Sequence, residues 1–167
     1  FLLNNKQLTE LDLPSLKTVG TNFVSRNTII TKFNAPLLER AGLGFLRDNL
    51  GLTILELPSL RWLADYSLRY NVSLSKLYVP KLEEIGCDCL TRNRNLIELD
   101  LPNVRIIDHN FLQDNKDLAQ FNAPKLEKIA SGVMSKNQNL TELILPSLQE
   151  LGCEFLSENK KLKTFRA

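Results

Sequence analysis

The chain has seven prolines, and all of them fall on one ruler: Pro14, Pro36, Pro58, Pro80, Pro102, Pro124 and Pro146, with a step of 22 residues each time. A second ruler runs beside it, from Asn5 through Asn27, Asn49, Asn71, Asn93, Asn115 and Asn137 to Asn159, at the same step. The unit reads N-x-x-L-x-x-[LF]-x-[LAV]-P-x-[LV]-x-x-[LIVA]-[GAD]-x-x-[FVCS]-[LVM]-x-x-N, with no insertion anywhere. A repeat this short cannot bury its apolar side alone. Stacked copies share one continuous core, so the chain must fold as a solenoid.

Each position in the unit has a physical reading. Glu10-Leu11-Asp12-Leu13 alternates polar and apolar residues, the pattern of a half-buried strand. Proline ends it, because its ring removes a ladder donor. A second extended piece carries Leu16 and Val19, and Gly20 turns the chain. Phe23 and Val24 are expected on a short helical or irregular turn, closed by Asn27 as a left-handed cap. All eight ladder asparagines are expected to be buried and bonded to backbone near that turn. The fold class expected is an α/β solenoid, a right-handed superhelix with one parallel sheet and about 7.5 repeats. Residues 1–167 read as a single domain. Both ends cut through a repeat, which reads as a fragment of a longer protein.

Leu99-Asp100-Leu101-Pro102, Ile85-Gly86 and Phe155-Leu156 followed by Asn159 are the segments through which the unit resembles leucine-rich repeats, most closely the BspA-like class of bacterial and protist proteins. The spacer from proline to the next leucine is one residue shorter than in that class. The resemblance covers the whole chain. It implies a ligand- or partner-binding scaffold, and it carries over no catalytic residue.

The core accounts for the phenylalanines. Phe1, Phe23, Phe45, Phe111 and Phe155 take the turn position; Phe33, Phe121 and Phe165 take the strand position three before proline. A second period of 44 residues is superimposed: Leu-x-Leu-Pro strands alternate with Phe-x-Ala-Pro strands, so a large residue beside a small one keeps layer volume constant. Leu77 and Val79 are an intermediate form. Three residues after the prolines stand Lys17, Glu39, Arg61, Glu83, Arg105, Glu127 and Gln149, whose charges alternate up to Glu127 and favour cross-strand pairing.

Net charge is +2, too small for a nucleic-acid footprint, and no apolar run approaches a membrane span. Neither nucleic acid nor membrane insertion is therefore expected, and no cofactor. Three cysteines are too few for a disulfide scaffold; unpaired thiols point to a reducing compartment, which favours a cytoplasm or a host cytoplasm over a cell surface. One column, seven residues after proline, brings Asp65, Cys87, His109, Ser131 and Cys153 into line. A Cys–His pair there would be a nucleophile arrangement, but no cleft or oxyanion donor accompanies it, and Cys87, Cys89 and His109 match no zinc spacing. The chain does not read as an enzyme.

The outward strand positions hold six acidic and three basic residues, while the segment after the turn holds ten basic against four acidic. The Trp and all three Tyr lie between positions 62 and 78, away from the usual core positions, with Tyr66 placed to swing inward beside Ser67. Exposed aromatics are common interface anchors. The candidate site is therefore the strand face around Ile54, Glu56, Tyr78, Glu98 and Asp100, with Trp62 at its rim, taking a protein partner with a basic surface. The function expected is a protein-interaction module, such as the recognition arm of a bacterial effector or adaptor; an extracellular BspA-like adhesin is the alternative.

Overall fold

A computed structural model describes residues 2–167. Phe1 lies outside them. The described residues form fifteen short strands in two series, one on each side of the proline corner. The first series precedes each proline: β1 (Glu10–Asp12), β3 (Lys32–Asn34), β5 (Ile54–Glu56), β7 (Lys76–Tyr78), β9 (Glu98–Asp100), β11 (Gln120–Asn122), β13 (Glu142–Ile144) and β15 (Thr164–Arg166). The second follows it: β2 (Thr18–Val19), β4 (Arg40–Ala41), β6 (Trp62–Leu63), β8 (Glu84–Ile85), β10 (Ile106–Ile107), β12 (Lys128–Ile129) and β14 (Glu150–Leu151). All pairings are parallel, with a register shift of one repeat. Among the described residues there is no helix, so the α/β expectation is corrected: this is a parallel β-solenoid of about seven turns.

The expectation of one sheet is also corrected. The second series forms one seven-stranded sheet, β2 to β14 in order. The first series, hereafter the strand face, splits into four two-stranded ladders: β1–β3, β5–β7, β9–β11 and β13–β15. Within each ladder the residue before proline donates to the next repeat, as Leu57 N does to Tyr78 O at 2.9 Å. Across each break, the amides of Ala35, Val79 and Ala123 make no such bond among the described residues. The 44-residue sequence period is therefore also a structural period.

The core runs unbroken between the two sheets and the turns. Edge-to-face rings join turn and strand positions, Phe33 to Phe45 at 5.5 Å and Phe111 to Phe121 at 6.4 Å. Stacking covers a ring only where a repeat lies on both sides, so Phe155 is half-buried and Phe165 is 40% exposed.

The asparagine ladder uses both ends of the amide. Asn93 Oδ1 accepts the Asn71 amide at 2.7 Å, Asn93 Nδ2 donates to Leu68 O at 2.8 Å, and the Asn93 amide passes to Asn115 Oδ1 at 3.0 Å. Aspartate lacks the donor, and glutamine is one methylene longer. Asn27 to Asn137 are fully buried; Asn159 is half-buried and Asn5 exposed, because a terminal repeat has one neighbour instead of two.

The turn is not capped by Asn27. Positive φ falls instead eight, ten and twelve residues after proline, at Asn22 (53°), Val24 (56°) and Arg26 (60°), and recurs at Tyr66, Leu68 and Tyr70. A left-handed L-residue costs roughly 1–2 kcal/mol, and a helix cannot propagate through alternating signs. The alternation turns successive amides toward opposite neighbours: Arg26 N donates forward to Arg47 O at 2.8 Å, and Leu46 N backward to Phe23 O at 3.1 Å. Inter-repeat bonding thus overrides local helical preference.

Candidate binding surfaces

Four of the expected site residues line one groove on the strand face. Ile54, Glu56, Tyr78 and Glu98 surround it together with Leu55, Lys76 and Leu77, and it encloses about 250 Å³. Lys76 and Leu77 carry no distinguishing signal in the sequence, because one sits among polar strand positions and the other among core positions. Register sets Glu56 opposite Tyr78 and Ile54 opposite Lys76. Ile54 and Tyr78 are diagonal neighbours, a separation aromatic side chains can span. Both are more than half exposed, at 52% and 56%. Asp100 stands on the next ladder, where it accepts a bond from Asn122 Nδ2 at 2.7 Å.

The structure separates the surface aromatics. Trp62 is not at the rim of the strand face; it stands on β6 of the other sheet, with the Arg40 guanidinium 4.8 Å from its ring centre. Tyr66 does not swing inward, since Ser67 fills that position, fully buried and bonded to Phe45 N and Gly42 O. Tyr66 and Tyr70 instead share Arg69, at 5.8 and 5.1 Å, and Tyr70 also meets Arg92 at 5.0 Å and through its hydroxyl. Such cation–ring contacts stabilise by about 0.5–1 kcal/mol each where exposed. Tyr78 alone among these four has no ring or hydroxyl partner among the described residues.

The charge patterns are partly consumed internally. Arg61–Glu83 and Arg105–Glu127 pair at 2.6 Å, so the alternating column closes within a two-repeat unit. The basic segment is tied down by Asp48, Asp88 and Asp114 through Arg26, Arg47, Arg69, Arg92 and Arg94. Glu56 and Glu98 take part in no ion pair among the described residues.

A larger groove, about 670 Å³, opens on the seven-stranded sheet around Glu83, Glu84, Ile85, Arg105, Ile106 and Asp108. Its position coincides with a fault in the stack. At five of the six steps in this sheet, three amides donate to the repeat before. Glu83 and Glu84 reach Arg61 O at 2.9 and 3.1 Å, and Gly86 reaches Leu63 O at 2.8 Å. At the step from β8 to β10 the equivalent amides of Arg105, Ile106 and Asp108 make none of these bonds among the described residues, although Ile106 stays in register with Glu84. The column six after proline marks the same step. It reads Gly20, Gly42, Ala64, Gly86, Asp108, Ala130, Gly152. Backbones approach closely there: a Cβ on Gly152 would lie 2.5 Å from Ala130 C. Asp108 is the one member larger than alanine, and it stands at the step that lacks these close bonds. The seam also falls at a strand-face break, between β7 and β9.

The Cys–His column does not assemble a nucleophile. The half-buried Cys87 thiol is pushed up by burial first, then by its hydrogen bond to the Asp108 carboxylate. A thiol facing a carboxylate is held protonated, the reverse of activation. His109 is exposed, and Cys89 is buried in a phenylalanine slot, its thiol raised far above the usual range by desolvation and bonded to Ala64 O at 3.1 Å. The described residues contain no cluster of three potential metal ligands.

A parallel β-solenoid with an exposed strand face and no assembled catalytic group defines a leucine-rich-repeat scaffold, a class that typically binds rather than catalyses. This chain belongs to the BspA type leucine rich repeat region family, of which six copies match over residues 45–163. No curated protein and no solved structure matches it significantly. No helix among the described residues is long and apolar enough to cross a membrane.

Proposed function

We propose that the chain is a protein-interaction module whose strand face, around the third and fourth prolines, receives an apolar anchor of a partner flanked by basic residues. The supporting observation is Tyr78. The other surface aromatics are engaged by arginines of the same chain, whereas Tyr78 and its diagonal neighbour Ile54 stand exposed over a groove. Glu56 and Glu98 flank them without internal counter-ions and supply electrostatic steering, with Asp100 beyond. Trp62 contributes to the other sheet and is left out of this site. Cys153 is exposed and all three thiols are free; such a surface suits a reducing compartment. This favours the recognition arm of an effector or adaptor over an extracellular adhesin.

Buried aromatic anchors dominate interface energy, so Tyr78→Ala is expected to weaken partner binding by about 2 kcal/mol or more. The test is affinity capture with quantitative mass spectrometry, using wild type, Ile54→Ala/Tyr78→Ala and the control Lys116→Ala. The double variant is expected to lose proteins that wild type and control retain. A folded double variant that captures the same proteins in equal amount places the binding surface elsewhere.

A further inference from the structure

We infer that the groove at the β8–β10 seam is a second docking site, one that takes a basic, extended segment of a partner protein, with an arginine or lysine side chain laid over Ile106. Ile106 is 57% exposed and stands in register beside Glu84. Asp108 follows two residues later, so its side chain leaves the chain on the same side of the sheet. The groove therefore presents an apolar ridge between two carboxylates, which matches a cationic side chain: methylenes on the isoleucine, charged head on the acids. Its volume of about 670 Å³ lies within the range of binding clefts, roughly 300–1,000 Å³.

Charge complementarity sets the sign of the guest. Of the groove's cations, Arg105 is paired with Glu127 at 2.6 Å, and Lys125 donates to the neutral Asn103 Oδ1 at 2.8 Å. Glu83 is held by Arg61. The Glu84 carboxylate has no ion-pair or hydrogen-bond partner among the described residues. Asp108 accepts only the His109 amide at 2.8 Å and the Cys87 thiol, with the His109 ring 3.8 Å away. With Arg105 and Glu83 paired, the charges left without an opposite-charge Lys/Arg–Asp/Glu partner among the described residues are Glu84 and Asp108 against Lys125, so the groove keeps a net negative balance. The step adds the carbonyls of Glu83 and Ile85, which receive no close amide bond from β10 among the described residues and can accept from a guanidinium or ammonium.

The probe is a fluorescein-labelled, end-capped heptapeptide of alternating valine and arginine, titrated against the whole chain by anisotropy. Its counterpart carries glutamate in place of arginine. The arginine peptide is expected to bind, and more weakly as salt rises. Glu84→Gln/Asp108→Asn, which keeps side-chain volume, is expected to reduce affinity at least about tenfold, and Ile106→Ser about fivefold. Ile54→Ala/Tyr78→Ala is expected to change nothing, which separates this groove from the strand-face site. No binding of the arginine peptide, equal binding of the glutamate peptide, or unchanged affinity in Glu84→Gln/Asp108→Asn would each overturn the proposal. So would a loss that follows Ile54 and Tyr78 instead.

Discussion

The two sheets are stacked from the same repeats, yet their ladders fail in different places. The strand face splits at every second step, whereas the seven-stranded sheet stays paired throughout and lacks its three close amide bonds at one step only. The layers beneath them also differ. Under the seven-stranded sheet lie Val19, Ala41, Leu63, Ile85, Ile107, Ile129 and Leu151, aliphatic throughout and without alternation. Under the strand face, Leu11 alternates with Phe33 and Leu99 with Phe121. Residue type at one position does not set the breaks: Leu11 and Phe33 differ and pair, whereas Leu77 and Leu99 match and stand across a break. β5 and β7 pair without a phenylalanine, through Leu55 and Leu77, so the phase of the alternation carries across from neighbouring units. Where the two coincide, between the fourth and fifth prolines, the close bonds that hold the stack lie mostly on the turn side, with Asn103 Nδ2 to Pro80 O at 2.9 Å on the corner.

That coincidence predicts the largest mutational contrast. Asn115 bridges the seam, accepting Asn93 N at 3.0 Å and donating to Leu90 O at 2.8 Å. Asn71 does the same at a step whose three sheet bonds are intact. Each change to alanine strands buried polar groups at about 1–3 kcal/mol. Asn71→Ala is expected to keep one unfolding transition. Asn115→Ala is expected to uncouple the halves, so that Trp62 fluorescence and far-ultraviolet circular dichroism give different denaturation midpoints. Coincident midpoints in Asn115→Ala would remove the seam from this picture.

A smaller effect tests the alternation. Phe121→Leu leaves a cavity and Ala123→Leu overpacks the same layer, each at about 1–2 kcal/mol. The double change restores the neighbouring Leu-x-Leu strand and is expected to recover at least about 0.5 kcal/mol of the summed loss. Strict additivity in the thermal stabilities would mean that the two positions do not share volume.

Much of this fold is legible in the residues. The proline and asparagine rulers set the stacking register, and the apolar alternation before proline marks the strand face. The turn is not legible, because Val24, Tyr66 and Leu68 have no intrinsic leaning to the left-handed region; bonds to neighbouring repeats hold them there. Sequence composition identifies the aromatic cluster but not which members are free, since that depends on where Arg40, Arg69 and Arg92 reach across repeats. The seam left one trace, Asp108 in a column of glycine and alanine. Its meaning depends on how closely backbones approach at that column.

The seam is tested most directly by amide hydrogen exchange of the whole chain, compared with Asp108→Gly. Local protection follows backbone bonding. In the wild type, Arg105, Ile106 and Asp108 are expected to exchange at least about tenfold faster than their bonded equivalents Glu83, Glu84 and Gly86 in the preceding repeat and Glu127, Lys128 and Ala130 in the following one. In Asp108→Gly, the amides at positions 105, 106 and 108 are expected to slow to the rates of those neighbours. Equal protection at all three repeats in the wild type would contradict the seam. Unchanged fast exchange in Asp108→Gly would contradict its link to Asp108.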